Sequence, residues 1–285
     1  MKAAAKNVNT GKSPIGIFDS GIGGLTVADA IHRLLPDETL IYFGDTAHLP
    51  YGDKAPESIR SYAIRISDFL LEHHCKMIVI ACNTASSIAF ETVKKHVGNR
   101  AEVVDVINPV VDEVSSMKKV HHVGVIGTRA TIRSNAYANG INSKNNSIQV
   151  TSLATPLLAP MIEEGFFNNK ISRTIINSYL SRPKIKKIDA LILACTHYPL
   201  IKPEINEYYK KKIFIVDSAD IVARHVKAIL KKKKLLNTEG HGKHHFYISD
   251  YTRSFEQSTR IFFRGKLKLE HKNLWKPISI TKEKD

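Results

Sequence analysis

Two cysteines follow buried apolar runs at equivalent places in the sequence. Cys82 follows MIVIA in the motif IVIACNT, and Cys195 follows ALILA in the motif LILACTH. The first cysteine is followed by Asn83 and Thr84 and the second by Thr196, residue types that commonly begin helices. A thiol at a helix N-terminus meets backbone N–H groups and the positive end of the helix dipole, which both favour the thiolate. The spacing therefore predicts two activated thiols.

Such a pair of thiols could invert a stereocentre. One thiolate removes a proton from a carbon, and a thiol on the opposite face returns one. Asp19, at the end of the first apolar run, is placed to assist Cys82, and His197 is placed to assist Cys195. The residues alone therefore predict two-base proton transfer at a stereocentre.

Other interpretations of the cysteines are weaker. A single cysteine after an apolar run is usually a small buried side chain, but two such cysteines at duplicated positions, each followed by polar cap residues, argue against that role. Cys75, which follows a helical segment and precedes an apolar run, is expected to be structural. A zinc site would need ligands beyond Cys195 and His197, and the usual paired spacing is missing.

The glycines near Asp19 begin like a dinucleotide-binding motif. Gly21, Gly23 and Gly24 match its start, but Thr26 stands where the third glycine is required. We expect these glycines to allow a tight turn and the close approach of a ligand such as a carboxylate.

The elements that must position these residues alternate between Ile- and Val-rich runs and segments of helical period. This alternation predicts an α/β protein of two similar doubly wound domains with parallel sheets. Asp19 and Thr128 end equivalent runs 109 residues apart, and the two cysteines lie 113 residues apart. The near-constant spacing indicates an internal duplication. We expect two domains related by a pseudo-two-fold axis, with the active site in the cleft between them.

The same pattern predicts the domain limits. We expect a flexible extension over residues 1–13 and a basic tail over residues 271–285. The first domain is predicted to comprise residues 14–108 together with 217–270, and the second to comprise residues 109–216.

Charge is the unusual bulk property of the chain. Lys and Arg number 42 against 27 Asp and Glu, a net charge of +15. Residues 221–285 hold sixteen of these basic residues and six acidic ones, so this region could bind nucleic acid. It lacks interleaved aromatic residues and any recognisable nucleic-acid module, which favours a solvated basic face.

Composition also limits the compartment. The apolar runs are too short to cross a membrane, and the N-terminus lacks the apolar region of a signal peptide. Three cysteines without CxxC spacing disfavour a disulfide framework. We therefore expect a cytoplasmic protein with free thiols.

The motifs together resemble those of the glutamate racemases, within the wider aspartate/glutamate racemase group. They occur in the order typical of that family across residues 14–270: FDSGIGGLTV (18–27), YFGDTAHLPYG (42–52), IVIACNTAS (78–86), GVIGTRAT (124–131), TPLLAPMIEEG (155–165), LACTHYPL (193–200) and VDSA (216–219).

The resemblance implies a role for each matched residue. Cys82 would be the base toward D-glutamate and Cys195 the base toward L-glutamate, with Asp19 assisting the first thiol and His197 and Glu163 the second. The positions expected to hold the substrate's carboxylates and ammonium are Asp19, Ser20, Tyr51, Gly52, Asn83, Thr84, Thr196 and His197, to which we add Thr128, the counterpart of Asp19 in the second unit.

The resemblance also implies that the enzyme needs neither pyridoxal phosphate nor a metal, forms a homodimer and supplies D-glutamate for bacterial peptidoglycan. Aspartate racemase is the alternative activity. Its members typically carry Glu at the position of His197 and lack DSGxGGLT, so the residues favour glutamate.

Overall fold

The computed structural model of the chain describes residues 10–251, 259, 261–264 and 267–275. Its strands form two parallel sheets. The first sheet has the order β10-β9-β2-β1-β3-β4 and consists of β1 (Ile15–Asp19), β2 (Leu40–Gly44), β3 (Met77–Ile80), β4 (Glu102–Asp105), β9 (His245–Ile248) and β10 (Leu269–His271). The second has the order β6-β5-β7-β8 and consists of β5 (His122–Gly127), β6 (Gln149–Ala154), β7 (Ala190–Ala194) and β8 (Phe214–Val216).

Helices connect the strands. Those associated with the first sheet are α1 (Leu25–Leu34), α2 (Pro56–Glu72), α3 (Asn83–Val97) and α10 (Ser218–Lys233). Helix α4 (Asn108–Ser115) connects the two sheets, since it follows β4 and precedes β5. Those associated with the second sheet are α5 (Arg129–Arg133), α6 (Ala136–Lys144), α7 (Leu158–Glu163), α8 (Lys170–Leu180) and α9 (Lys202–Tyr208). None of the helices in the described part of the chain is both long and apolar enough to span a membrane.

Both faces of the first sheet are covered. Alternate residues of β1 and β3 enter two different apolar clusters: Ile15 and Val79 lie in one, and Phe18 and Ile80 in the other. Helices α1 and α10 pack together beside the first cluster, and α2 and α3 pack together beside the second. A strand that is buried on both faces must be apolar throughout, which explains the uninterrupted runs in the sequence.

The two sheets repeat one arrangement. The order β2-β1-β3-β4 in the first sheet is matched by β6-β5-β7-β8 in the second. Asp19 ends β1 and Thr128 follows β5, whereas Cys82 and Cys195 follow the equivalent strands β3 and β7. The predicted fold class is confirmed, and the landmarks of the duplication occupy equivalent strand ends.

Both ends of the described chain pack against the first sheet. Gly11, in the predicted extension, accepts a hydrogen bond from the buried Lys76 ammonium group. Strand β10 continues to His271, which lies in the predicted basic tail. Beyond it, Leu274 is buried and the Trp275 indole N–H donates to a carboxylate after β2. Residues 1–9 and 276–285 lie outside the described residues.

The basic run near residue 231 ends a helix. Lys231, Lys232 and Lys233 occupy the last turn of α10, where their charges complement the negative end of the helix dipole. Lys233 also pairs with Glu102 at 2.8 Å. This part of the basic region therefore has a structural role within the domain.

Candidate active site

One cavity joins the carboxyl ends of the two sheets. It has a volume of about 270 Å³, and both Cys82 and Cys195 line it. The other predicted site residues that line it are Ser20, Tyr51, Gly52, Asn83, Thr84, Thr128, Glu163, Thr196 and His197. Residues that were not predicted as ligand contacts also line it, namely Leu49, Pro50, Ala159 and Pro160, although all of them fall inside the motifs YFGDTAHLPYG and TPLLAPMIEEG.

Cys82 caps the N-terminus of α3. The backbone N–H of Ala85 lies 3.4 Å from its sulfur, and the Ser20 hydroxyl oxygen lies 3.5 Å from it. Burial raises the pKa of the Cys82 thiol to about 12, and the negative charge of Asp19 acts in the same direction. The Ala85 N–H, expected from the helix N-terminus, and the Ser20 hydroxyl both lower the pKa, but burial outweighs them. The net effect on the pKa of Cys82 is therefore a rise, whereas the helix N-terminus alone was expected to lower it.

Cys195 has a different partner. Its sulfur lies 3.6 Å from His197 Nδ1, and His197 Nε2 lies 2.9 Å from Glu163 Oε1. The second contact is not aligned as a hydrogen bond and is best described as an ion pair. Burial alone lowers the pKa of His197, but the interactions with Cys195 and Glu163 outweigh it and raise this pKa well above its usual value. An imidazolium beside the Cys195 sulfur supplies the charge that stabilises a thiolate.

Asp19 lies behind the cavity wall and does not line the cavity. Its Oδ2 accepts hydrogen bonds from the backbone N–H groups of Gly21 (3.2 Å) and Gly24 (2.9 Å). Its Oδ1 is buried and has no hydrogen-bond partner among the described residues. Burial raises the pKa of Asp19, and the charge of His197 lowers it. Asp19 is thus electrostatically coupled to both thiol environments.

The glycines of the first loop permit close packing of the catalytic side chains. A Cβ at Gly23 would lie 2.5 Å from His197 Cε1, and a Cβ at Gly24 would lie 2.5 Å from Asp19 Cβ. Gly21 alone of the three lines the cavity. The expectation that all three approach a ligand is therefore corrected: two of them approach site residues.

Polar contacts of Asn83 and Thr84 cross the cleft between the sheets. The Tyr137 hydroxyl donates to Asn83 Oδ1 at 2.6 Å, and Thr84 Oγ1 lies 2.9 Å from Thr128 Oγ1. The first contact leaves Asn83 Nδ2 buried without a partner among the described residues. A buried amide donor in the cavity wall is suited to an anionic ligand group. Tyr137 carried no sequence signal, because its helix lacks any motif.

Tyr51 lines the cavity, but its hydroxyl is hydrogen-bonded to another residue of the protein. The hydroxyl donates to Asp45 Oδ2 at 2.7 Å, so the ring and backbone of Tyr51 remain to face a ligand. Gly52 approaches the second domain closely, since a Cβ there would lie 3.0 Å from Thr128 Cβ.

Over the described residues, no three His, Cys, Asp or Glu side chains come together in an arrangement that could hold a metal ion. Cys75 lies buried under β1, outside the cavity lining, and burial raises the pKa of its thiol to about 12.

At pH 8 we expect iodoacetamide to alkylate Cys195 much faster than Cys82. With a pKa of about 12, Cys82 has a thiolate fraction of only about 10⁻⁴ at this pH, whereas a cationic His197 adjoins Cys195. Peptide mass spectrometry after timed quenching measures the two rates.

Cys75 provides the internal control, since it is buried with a raised pKa and should stay unmodified. A His197→Asn variant should lose the preference for Cys195. Equal alkylation of Cys82 and Cys195 in the unsubstituted protein would contradict the conclusion that a cationic His197 activates Cys195.

Comparison with known proteins agrees with this geometry. Residues 15–226 match the family model described as Asp/Glu/Hydantoin racemase. The chain is 43% identical over 259 residues to the glutamate racemase of Chlorobium phaeobacteroides, covering 90% of this chain and 95% of that protein. It is likewise 43% identical over 254 residues to the glutamate racemase of Geobacter metallireducens, covering 89% and 93%.

A solved structure shows the same likeness. The crystal structure of Francisella tularensis glutamate racemase in complex with D-glutamate superposes with a TM-score of 0.87 at 40% identity, covering 93% of this chain and 98% of that one.

Proposed function

The chain belongs to the Asp/Glu/Hydantoin racemase family, and we propose that it interconverts L- and D-glutamate by proton transfer between two cysteines. The observation that carries the proposal is that Cys82 and Cys195 follow equivalent strands and line one cavity. Glutamate is favoured because the relatives at 43% identity are glutamate racemases and the related Francisella structure holds D-glutamate.

In the L-to-D direction, the Cys195 thiolate takes the α-proton of L-glutamate, so that the C–H bond breaks and an S–H bond forms. The electron pair remains on the α-carbon as a carbanion. The Cys82 thiol then gives its proton to the opposite face, which leaves Cys82 as a thiolate and releases D-glutamate. The reverse direction uses the same steps in the opposite order.

The neighbours of each thiol suit these roles. His197, held by Glu163, stabilises the Cys195 thiolate before the L-to-D step. Asp19 has a raised pKa and an unpartnered Oδ1, so in its protonated form it can share a proton with a Cys82 thiolate. Asn83 Nδ2 is available to a substrate carboxylate. Ser20, Thr84, Thr128 and Thr196 supply further polar groups in the cavity wall.

The wider setting follows from the family. We propose that the enzyme acts without pyridoxal phosphate or metal, as a homodimer in the cytoplasm, and that its D-glutamate enters peptidoglycan. The basic C-terminal region motivates a second candidate activity, nucleic-acid binding. That activity would weaken steeply with salt, and loss of retention on DNA and RNA above about 150 mM salt would exclude it.

The purified protein is expected to convert either glutamate enantiomer to the racemate in D₂O without added cofactor. The product formed from each enantiomer should carry one deuterium at the α-carbon, because the returning proton comes from a thiol that exchanges with solvent. Chiral chromatography with mass spectrometry measures both quantities.

L- and D-aspartate are the matched substrates for the alternative activity. Faster turnover of aspartate than of glutamate would replace the proposed substrate. Inversion with full retention of the original α-hydrogen would eliminate the two-base mechanism.

A further inference from the structure

Asp45 is a buried carboxylate outside the cavity that receives hydrogen bonds from four side chains. It directly follows β2 and is 0% exposed. The Tyr51 hydroxyl and His48 Nδ1 lie 2.7 and 2.9 Å from its Oδ2, and the Ser249 hydroxyl and Trp275 Nε1 lie 2.8 and 3.0 Å from its Oδ1. A buried carboxylate this well satisfied holds its donors in fixed positions.

Its donors come from two separate parts of the chain. His48 and Tyr51 belong to the segment 46–53, here called the cavity loop, of which residues 49–52 line the cavity. Ser249 and Trp275 belong to the C-terminal segment around β9 and β10. One carboxylate thus joins the wall of the active site to the end of the described chain.

Further contacts support the same connection. Thr46 Oγ1 donates to Asp250 O at 2.6 Å and accepts from Asp250 N at 2.8 Å, and Ala47 N donates to Ser249 Oγ at 2.9 Å. These contacts attach the start of the cavity loop to the residues that follow β9.

Aromatic rings cover the outer side of the loop. His48 stacks on Tyr62 with ring centroids 4.0 Å apart and an interplanar angle of 14°. The Trp275 ring meets both edge-on, at 4.4 Å from His48 and 5.3 Å from Tyr62. A displacement of the cavity loop therefore disturbs the Trp275 ring directly.

We propose that Asp45 is a positioning residue for glutamate binding, which holds the cavity loop through Tyr51 and connects it to Trp275. The inference rests on the proposed function. Cys82 and Cys195 are placed by β3 and β7, not by the cavity loop, so loss of Asp45 leaves both thiols in place and weakens the binding of substrate. Reduced ground-state and transition-state binding together raises KM and changes kcat little.

The test combines kinetics with fluorescence. Asp45→Asn should raise KM for both enantiomers roughly tenfold or more with kcat changed less than about threefold, because a charge-assisted set of hydrogen bonds is lost. Trp275→Phe keeps an aromatic ring but removes the donor, and should raise KM to a smaller extent. Trp275 is the one tryptophan of the chain, so protein emission reports on it alone. Saturating D-glutamate should change that emission, and Asp45→Asn should abolish or strongly reduce the change.

Glu270→Gln is the matched control. Glu270 is a carboxylate of β10 that contacts His245 at 2.9 Å, and no contact joins it to the cavity loop in the described structure. The KM of the Glu270→Gln variant, and its change in emission on adding D-glutamate, should equal those of the unsubstituted protein. Circular dichroism shows whether Asp45→Asn folds. If it does not, the inference is tested by the KM of Trp275→Phe and by the emission of the unsubstituted protein.

Any of three results would overturn the inference. They are an unchanged KM in the folded variants, a fall in kcat alone, and tryptophan emission from an active enzyme that does not change when D-glutamate is saturating. The absence of glutamate turnover in the unsubstituted protein would instead overturn the proposed function.

Discussion

Cys82→Ala is expected to lose racemisation by roughly 10²- to 10⁴-fold in kcat while still exchanging the α-proton of L-glutamate with solvent. Cys195 remains as the base on that face, and its thiol exchanges with D₂O and returns deuterium to the side from which the proton came. Cys195→Ala should show the mirror image, with exchange of D-glutamate alone. Loss of the α-proton signal in NMR, together with chiral analysis, measures exchange and inversion separately.

Cys75→Ala is the control for loss of a buried thiol. Cys75 is 1% exposed and does not line the cavity, so this variant should racemise at the rate of the unsubstituted enzyme. If either active-site variant exchanged both enantiomers equally, a single base would be reaching both faces and the assignment of faces would be wrong.

His197→Asn is expected to slow exchange of L-glutamate by roughly 10²-fold in the Cys82→Ala background and to leave exchange of D-glutamate nearly unchanged in the Cys195→Ala background. The difference arises because His197 contacts the Cys195 sulfur at 3.6 Å. This difference can be measured only in the two exchange half-reactions, not in complete racemisation. Enantiomers have equal free energies, so any variant of the complete enzyme must keep kcat/KM equal in the two directions.

The same double variants predict a pH dependence. The pKa of His197 is raised well above its usual value, so the cation is present below that folded-state pKa and is lost as pH rises through it. Exchange of L-glutamate by Cys82→Ala should fall on that alkaline side, and addition of His197→Asn should remove this limb of the profile. Asp19→Asn is the reciprocal control, with its larger effect expected on D-glutamate exchange. Equal effects of His197→Asn on both half-reactions would contradict the assignment.

Local signals were sufficient to predict both cysteines. An apolar run followed by Cys and then by Asn, Thr or a similar cap residue is a pattern of a few neighbouring residues. The duplication then indicated Thr128 as the counterpart of Asp19. The alternation of strands and helices predicted the fold class, whereas the strand order within each sheet was not predicted.

Contacts between residues far apart in the sequence could not be predicted from local patterns. Asp45 and Trp275 lie 230 residues apart in the sequence, and no periodicity links them. The expected lowering of the Cys82 pKa was also not found, because the helix N-terminus is visible in the sequence whereas the extent of burial is a property of the complete fold. The role of Gly23 depends on His197, which the second domain brings toward the loop, and the role of Gly24 depends on Asp19 beside it.

The repeated strand order has a consequence for how such a site can evolve. Each repeat contributes one thiol to the cavity, and a single repeat could only return a proton to the face it came from. Two separate identical half-chains, paired face to face, would already have both thiols, but every residue would then occur twice. Joining the halves in one polypeptide lets equivalent positions diverge, as Asp19 and Thr128 have, so that each thiol acquires its own neighbours.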